Sequence, residues 1–212
     1  TYGDKDHSEK ANSICEISDG GYIVAGETPY FSHGGSDFYI IKLDKNGNKV
    51  WEKRFGEKNY DDVASSIQQT PDGGFIVVGW TESYGLGETD VYVIKLDGKG
   101  NKIWEKTYGG KGHDFASSFQ LTSDGGCIIA GDSNSFGSGD SDFYIIKLDK
   151  NGDKIWERVF GDKEHFEIAT SIQETSDGGY IVAGYKKPFS GGYSDIYIIK
   201  LDHNGNIYEE KP

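Results

Sequence analysis

Three histidines, His7, His113 and His165, each stand four residues after a glycine at matching places along the chain, and Tyr60 takes the fourth such place. Imidazole is a preferred zinc ligand, so three matched histidines raise the question of a metal centre. Symmetry-related copies hold such residues apart, however, and one ion would reach all of them only near a shared axis. Packing and hydrogen bonding to neighbouring acids is the expected role, and no metal or other cofactor is expected. Four aspartates, Asp37, Asp90, Asp142 and Asp195, each precede an apolar, aromatic run. Calcium takes six to eight oxygens, usually from alternating carboxylates, and no such run surrounds these positions. They read as acids that accept backbone N–H groups where a strand begins.

Two further segments imitate a calcium loop, Asp44-Lys45-Asn46-Gly47-Asn48 and Asp149-Lys150-Asn151-Gly152-Asp153. In an EF-hand the glycine follows the third oxygen ligand and a distant Glu closes the loop. Here the glycine comes too early and no closing Glu follows, so both read as hairpin turns. Catalysis finds no support: there is no Gly-x-Ser-x-Gly nucleophile elbow and no phosphate-binding loop. Adjacent acids such as Asp61-Asp62 are weak evidence for acid–base work. The chain is expected not to be an enzyme.

These residues sit in a repeat. Asp-Gly-Gly begins at Asp19, Asp72, Asp124 and Asp177, and Lys-Leu-Asp begins at Lys42, Lys95, Lys147 and Lys200. An aromatic–Glu pair falls at Trp51, Trp104, Trp156 and Tyr208, and every spacing is 52 or 53 residues. Regular self-similarity of this length marks a repeat architecture. In the second copy, 65–70 reads as a short strand, 71–74 as a turn, 75–79 as a nearly continuous apolar strand and 90–97 as a third, rich in β-branched and aromatic residues. Asn46-Gly47, Asn151-Gly152 and Asn204-Gly205 suggest type I′ turns, and 102–108 is the fourth strand. Four strands joined by tight turns form an antiparallel meander, and no helical period exceeds a turn. The fold class expected is all-β, a β-propeller of four four-stranded blades. The repeat units fall at about 4–56, 57–109, 110–161 and 162–212 plus 1–3, within one domain spanning 1–212. The tryptophans are expected to pack between blades, with Tyr208 as a smaller equivalent.

Thr1, Tyr2 and Gly3 match the end of a fourth strand, Thr107-Tyr108-Gly109, and Ile207 and Tyr208 match the start of one. The two ends together complete one blade, and their pairing is expected to close the ring. The same complementarity would equally join one subunit to the next. The loop between the second and third strands carries Phe31, Tyr84, Phe136 and Phe189, which form the candidate interaction surface. Equal loop length and equal aromatic placement also suit packing between blades.

Net charge is −13, from 22 basic and 35 acidic residues. This excludes a nucleic-acid partner that needs a basic stripe and an anionic membrane surface. No run of 18 apolar residues spans a bilayer. Cys15 and Cys127 occupy non-equivalent places and read as free thiols. The chain has no Met, so a start codon and any signal peptide are expected to have been removed or to lie outside this sequence.

Trp-Glu-Lys-Thr-Tyr-Gly-Gly, Ser-Asp-Gly-Gly-Tyr-Ile-Val-Ala-Gly and Ile-Ile-Lys-Leu-Asp-x-Asn-Gly-Asn resemble a propeller-type repeat found in secreted and cell-surface proteins of bacteria and archaea, many of them thermophiles. Leu-Asp-x-Asn-Gly-Asn-x-x-Trp also resembles the turn-and-Trp element of quinone-type propellers, and Thr70-Pro71-Asp72-Gly73-Gly74 part of the Asp-box turn of sialidases. Neither likeness extends to active-site residues. The resemblance implies an extracellular or cell-surface location. The uniformity of the copies, the acidic surface and the chain ends that split one strand point to a structural or protein-interaction module, expected to self-assemble into a filament or surface layer or to bind another surface protein. A lectin-like, glycan-binding propeller is the alternative. The Lys and Glu abundance suits a thermophile.

Overall fold

A computed structural model describes residues 1–3, 8–29 and 35–208. His7 and Phe31 lie outside them. The chain divides into two compact units, Thr1–Tyr108 and Gly109–Pro212, and the cut falls at the joint between the second and third repeats. Each unit holds two antiparallel sheets, and every sheet is a meander whose strands pair in chain order.

In the first unit, sheet one comprises β1 (Lys10–Glu16), β2 (Tyr22–Pro29), β3 (Ser36–Leu43) and β4 (Lys49–Phe55). Sheet two comprises β5 (Asp62–Gln69), β6 (Phe75–Thr81), β7 (Asp90–Leu96) and β8 (Lys102–Tyr108). In the second unit, sheet three comprises β9 (Asp114–Leu121), β10 (Cys127–Ser133), β11 (Asp142–Leu148) and β12 (Lys154–Phe160). Sheet four comprises β13 (His165–Glu174), β14 (Tyr180–Pro188) and β15 (Asp195–Leu201). The all-β, propeller-like reading therefore holds, with three sheets of four strands and one of three.

The fourth strand that both chain ends were expected to complete is not formed among the described residues. Sheet four carries only a bridge from Leu201 to Ile207, extended by Tyr208 donating its N–H to the Lys200 carbonyl at 2.8 Å. Thr1–Gly3 lie instead against sheet one, where the Tyr2 hydroxyl donates to the Gly47 carbonyl. That turn carbonyl satisfies the hydroxyl locally.

In each unit a hydrophobic core lies between the two sheets. In the first, Phe38 and Ile40 pack on Phe75, Tyr92 and Ile94, with the Phe38 and Tyr92 rings 5.1 Å apart. In the second, Phe143 and Ile145 lie in one core with Tyr180 and Ile199, and Phe143 stands 4.9 Å from Tyr197. Trp51 and Trp156 extend these cores, Trp51 edge-on to Phe75 at 6.0 Å and Trp156 edge-on to Tyr180 at 5.8 Å, whereas Tyr208, expected as their smaller equivalent, is exposed. Such tilted and edge-on aromatic contacts add about 1 kcal/mol each to the area they bury.

The repeated Ala-Gly or Val-Gly of the second strand has a steric cause. The first strand of each sheet carries a bulge, between Ala64 and Ser66 in β5, which presses its backbone onto β6. A Cβ on Gly79 would overlap the Val63 carbonyl oxygen. Only glycine admits so close an approach.

Candidate functional site

Most ionisable landmarks of the repeat close on one another within a sheet. The Lys of each Lys-Leu-Asp reaches the Asp of the preceding Asp-Gly-Gly: Lys42 to Asp19 at 2.9 Å, and Lys95 to Asp72, Lys147 to Asp124 and Lys200 to Asp177 at 2.8 Å each. Hydrogen bonds from Lys95 and then Thr70 draw the Asp72 carboxyl down to about 2. At Asp124 burial opposes ionisation, but Lys147 and Thr122 outweigh it and the carboxyl again falls to about 2.

The aromatic–Glu landmark closes in the same way. Tyr39 and Tyr144 donate their hydroxyls to Glu52 and Glu157 at 2.5 Å, and Tyr92 donates to Glu105. Burial, then the Glu52 bond, pushes the Tyr39 phenol up to about 12.

The Leu-Asp-x-Asn-Gly-Asn turns are structural, though not of the expected type I′. In the first copy only Gly47 has positive φ, at 83°. Its N–H donates to the Asp44 carbonyl, and the Asp44 carboxylate accepts the N–H groups of Asn46 and Asn48 at 2.8 Å each. This is a type I turn followed by a left-handed glycine, and the aspartate side chain selects it.

The aspartates that begin the third strands behave as capping acids in part. One oxygen of Asp90 accepts from Leu86 and Gly87 at 2.9 and 3.0 Å, and one oxygen of Asp142 accepts from Ser138 at 2.9 Å. Asp195 is exposed. The other oxygens of Asp37 and Asp142 are buried without a hydrogen-bond partner.

Those bare oxygens face a second buried acid, carried by the first strand of the next sheet. In the first unit, Asp37 Oδ1 and Asp62 Oδ2 meet where a Cβ on Gly56 would stand, 2.5 Å from the Asp62 oxygen. In the second, Asp142 Oδ1 and Glu167 Oε2 meet at Gly161 in the same way, the Glu167 oxygen at 2.9 Å. Burial, then the charge of Asp62, raises the Asp37 pKa, and burial raises those of Asp62 and Glu167.

The fourth copy then departs from the others. In the first unit Thr81 and Ser83 donate hydroxyls to Asp62, but the matching positions in the fourth copy are Lys186 and Pro188. Lys186 Nζ lies 2.5 Å from Asp162 Oδ2 and 3.3 Å from Glu167 Oε1, and His165 Nδ1 lies 2.7 Å from Asp162 Oδ1. Hydrogen bonds from Lys186, then His165, hold the Asp162 carboxyl far below its ordinary range. Among the described residues, Asp162, His165 and Glu167 are the group with metal-ligand geometry, their donor atoms within 4.8 Å of one another. Sequence reasoning isolated His165, yet missed Lys186 and Glu167. The signal was a lysine where three copies carry Thr28, Thr81 and Ser133.

His113 and His165 make separate contacts. The His113 ring stacks on Phe115 at 6.0 Å, while His165 joins the acid cluster. The candidate aromatic surface is also distributed: Tyr84 packs on Tyr92 at 5.3 Å, Phe136 on Tyr144 at 5.6 Å, and Phe189 edge-on to Phe166 at 4.4 Å. Phe189 remains 38% exposed. Both cysteines are free, Cys127 buried and Cys15 partly so.

Sheet four and the loop before β15 carry exposed apolar side chains. Tyr193, Ile196 and Ile198 are 95%, 82% and 57% exposed, whereas Phe38 and Ile40, which hold the places of Ile196 and Ile198 in sheet one, are fully buried.

Comparison with known proteins supports this fold. Over 174 residues the chain is 26% identical to the regulatory protein FlaEY of Caulobacter vibrioides, which covers 70% of this chain but only 18% of that relative. Residues 122–154, from the third Asp-Gly-Gly turn to the start of β12, match the family described as a β-propeller domain of unknown function, DUF5122.

Proposed function

We propose that the chain is a non-catalytic recognition module of an exported or cell-surface protein, each sheet serving as one blade, and that it binds protein partners, including further copies of itself. The exposure of Ile196 and Ile198 on β15, and of Tyr193 just before it, carries this reading. Exposed large apolar side chains of this kind suit interaction sites, and Tyr193, Ile196 and Ile198 offer aromatic and aliphatic anchors. The internal closure of the Lys–Asp and Tyr–Glu pairs supports a scaffold rather than a reaction centre. A recognition role also suits the regulatory description of the Caulobacter relative.

Sedimentation at several concentrations tests the self-association, with growth in mass expected for the parent protein and its loss in Ile196→Lys. A parent that stays monomeric throughout refutes it. Glycan binding is the second reading, favoured by Phe189 and Tyr193 exposed after β14. A glycan array silent for the parent removes it.

A further inference from the structure

We propose that Asp142 and Glu167 hold one calcium-class divalent cation between their carboxylates, where sheet three meets sheet four in the second unit. Both side chains are fully buried, and Asp142 Oδ1 and Glu167 Oε2 have no hydrogen-bond partner. The two oxygens converge on the backbone of Gly161, the position at which any other residue would place its Cβ among them. Gly161 is not among the residues with left-handed φ, so the crowding of these carboxylates, rather than a turn, is what calls for glycine. Two ionised carboxylates brought together out of water require a cation or a proton between them.

The charge count points to a divalent ion. Asp142, Glu167 and Asp162 contribute three negative charges, and Lys186 returns one. Lys186 is committed to Asp162 Oδ2 at 2.5 Å and reaches Glu167 only through Oε1, at 3.3 Å. The imidazole of His165 is committed to Asp162 Oδ1 at 2.7 Å. The nitrogen donor and Asp162 are therefore engaged elsewhere, and the remaining donors are oxygens, which suit calcium rather than zinc. Backbone oxygens lie beside them: the carbonyls of Asp162 and His165 stand 2.7 and 3.2 Å from where a Cβ on Gly139 would be, and Asp142 Oδ1 stands 3.5 Å from the same point. Water completes the six to eight ligands calcium takes.

The corresponding pair in the first unit does not qualify. Both Asp62 oxygens already accept hydroxyl hydrogen bonds, from Thr81 and Ser83. The replacement of those donors by Lys186 and Pro188 is what leaves Glu167 Oε2 bare.

Isothermal titration of the full chain with Ca²⁺, Mg²⁺ and Zn²⁺ after EDTA treatment tests the assignment. One Ca²⁺ per chain is expected, with a dissociation constant of about 10⁻⁴ to 10⁻³ M given only two carboxylates, together with a Ca²⁺-dependent rise in Tm that Mg²⁺ does not reproduce. Glu167→Gln and Asp142→Asn should each weaken binding roughly tenfold or more, while Asp37→Asn leaves it unchanged. Circular dichroism in EDTA establishes that the variants fold. If they do not, stoichiometry and Ca²⁺-dependent melting of the parent decide alone. Absence of Ca²⁺ binding at millimolar concentration overturns the proposal. So does loss of the Ca²⁺ site in Asp37→Asn, or Zn²⁺ binding that His165→Ala abolishes and Asp142→Asn retains.

Discussion

Four copies of one ion pair in four degrees of burial offer a graded test of what that pair contributes. The lysine side chain is 3% exposed at Lys147, 9% at Lys95, 16% at Lys42 and 28% at Lys200, while the partner aspartates are all about half exposed or more. An Asp→Asn change strips the charge from the partner and leaves the lysine where it is. The cost should therefore rank with lysine burial, largest for Asp124→Asn and smallest for Asp177→Asn. At Asp124 the carboxyl is drawn from 3.8 to about 2, which at full value is worth about 2.5 kcal/mol. The aspartate is 54% exposed, and solvent screening reduces this to about 1.5 kcal/mol. In a chain of this length that is a fall in Tm of roughly 3 to 6 °C. Lys147 keeps its bonds to Thr122 Oγ1 at 3.0 Å and the Leu148 carbonyl at 3.1 Å, so the loss stays below that of a wholly orphaned charge.

The pH dependence fixes the sign. A carboxyl with a depressed folded pKa contributes stability that is present above its unfolded value and is lost as pH falls through its folded value. The gap between parent and Asp124→Asn, read from urea unfolding, should be constant near neutrality and shrink as pH falls from about 4 towards about 2. Equal costs at Asp124 and Asp177, or a gap independent of pH down to pH 3, would refute the reasoning.

Three further outcomes are expected. Asp37 has a raised folded pKa, so its contribution is present below the unfolded value and lost as pH rises through the folded one. Asp37→Asn should therefore be more stable than the parent at pH 7, by on the order of 1 kcal/mol, with the difference in urea midpoint closing below about pH 4. Gly79→Ala drives a methyl into the Val63 carbonyl and to 2.9 Å from the Phe38 ring, and should lower stability by about 2 kcal/mol or more. Burial pushes the Cys127 thiol up to about 12, so a thiol reagent at pH 8 should label Cys15 promptly and Cys127 only on unfolding, as mass spectrometry would show.

The strands were readable because their signals are local. The unbroken apolar run at 75–79 and the turn residues around it specify β6 and its neighbours without reference to the rest of the chain. The partners of the landmarks were not readable. Asp72 and Lys95 lie 23 residues apart, and only the pairing of β6 with β7 brings Lys95 over the Asp-Gly-Gly turn. The turn type was misjudged because the Asn-Gly pair carries the familiar hairpin signal, whereas the Asp44 carboxylate, two residues earlier, decides the geometry. The acid pairs at Gly56 and Gly161 arise between sheets, from residues 25 apart in sequence, and no spacing rule predicts which buried carboxylate will keep a donor and which will lose it.

The tryptophan edges have a practical consequence. Trp51 lies within 3.1 Å of where a Cβ on Gly100 would be, and Trp156 within 2.9 Å of the same point on Gly205, each lying over a turn of the following sheet. An indole in that position changes its solvent contact when two sheets part, before any strand need melt. Trp51 and Trp156, two of the four tryptophans, are thus intrinsic fluorophores at the seam within each unit, readable once Trp80 and Trp104 are replaced by Phe. A red shift of their emission that precedes loss of the far-ultraviolet β signal would time the separation of sheets independently of their unfolding.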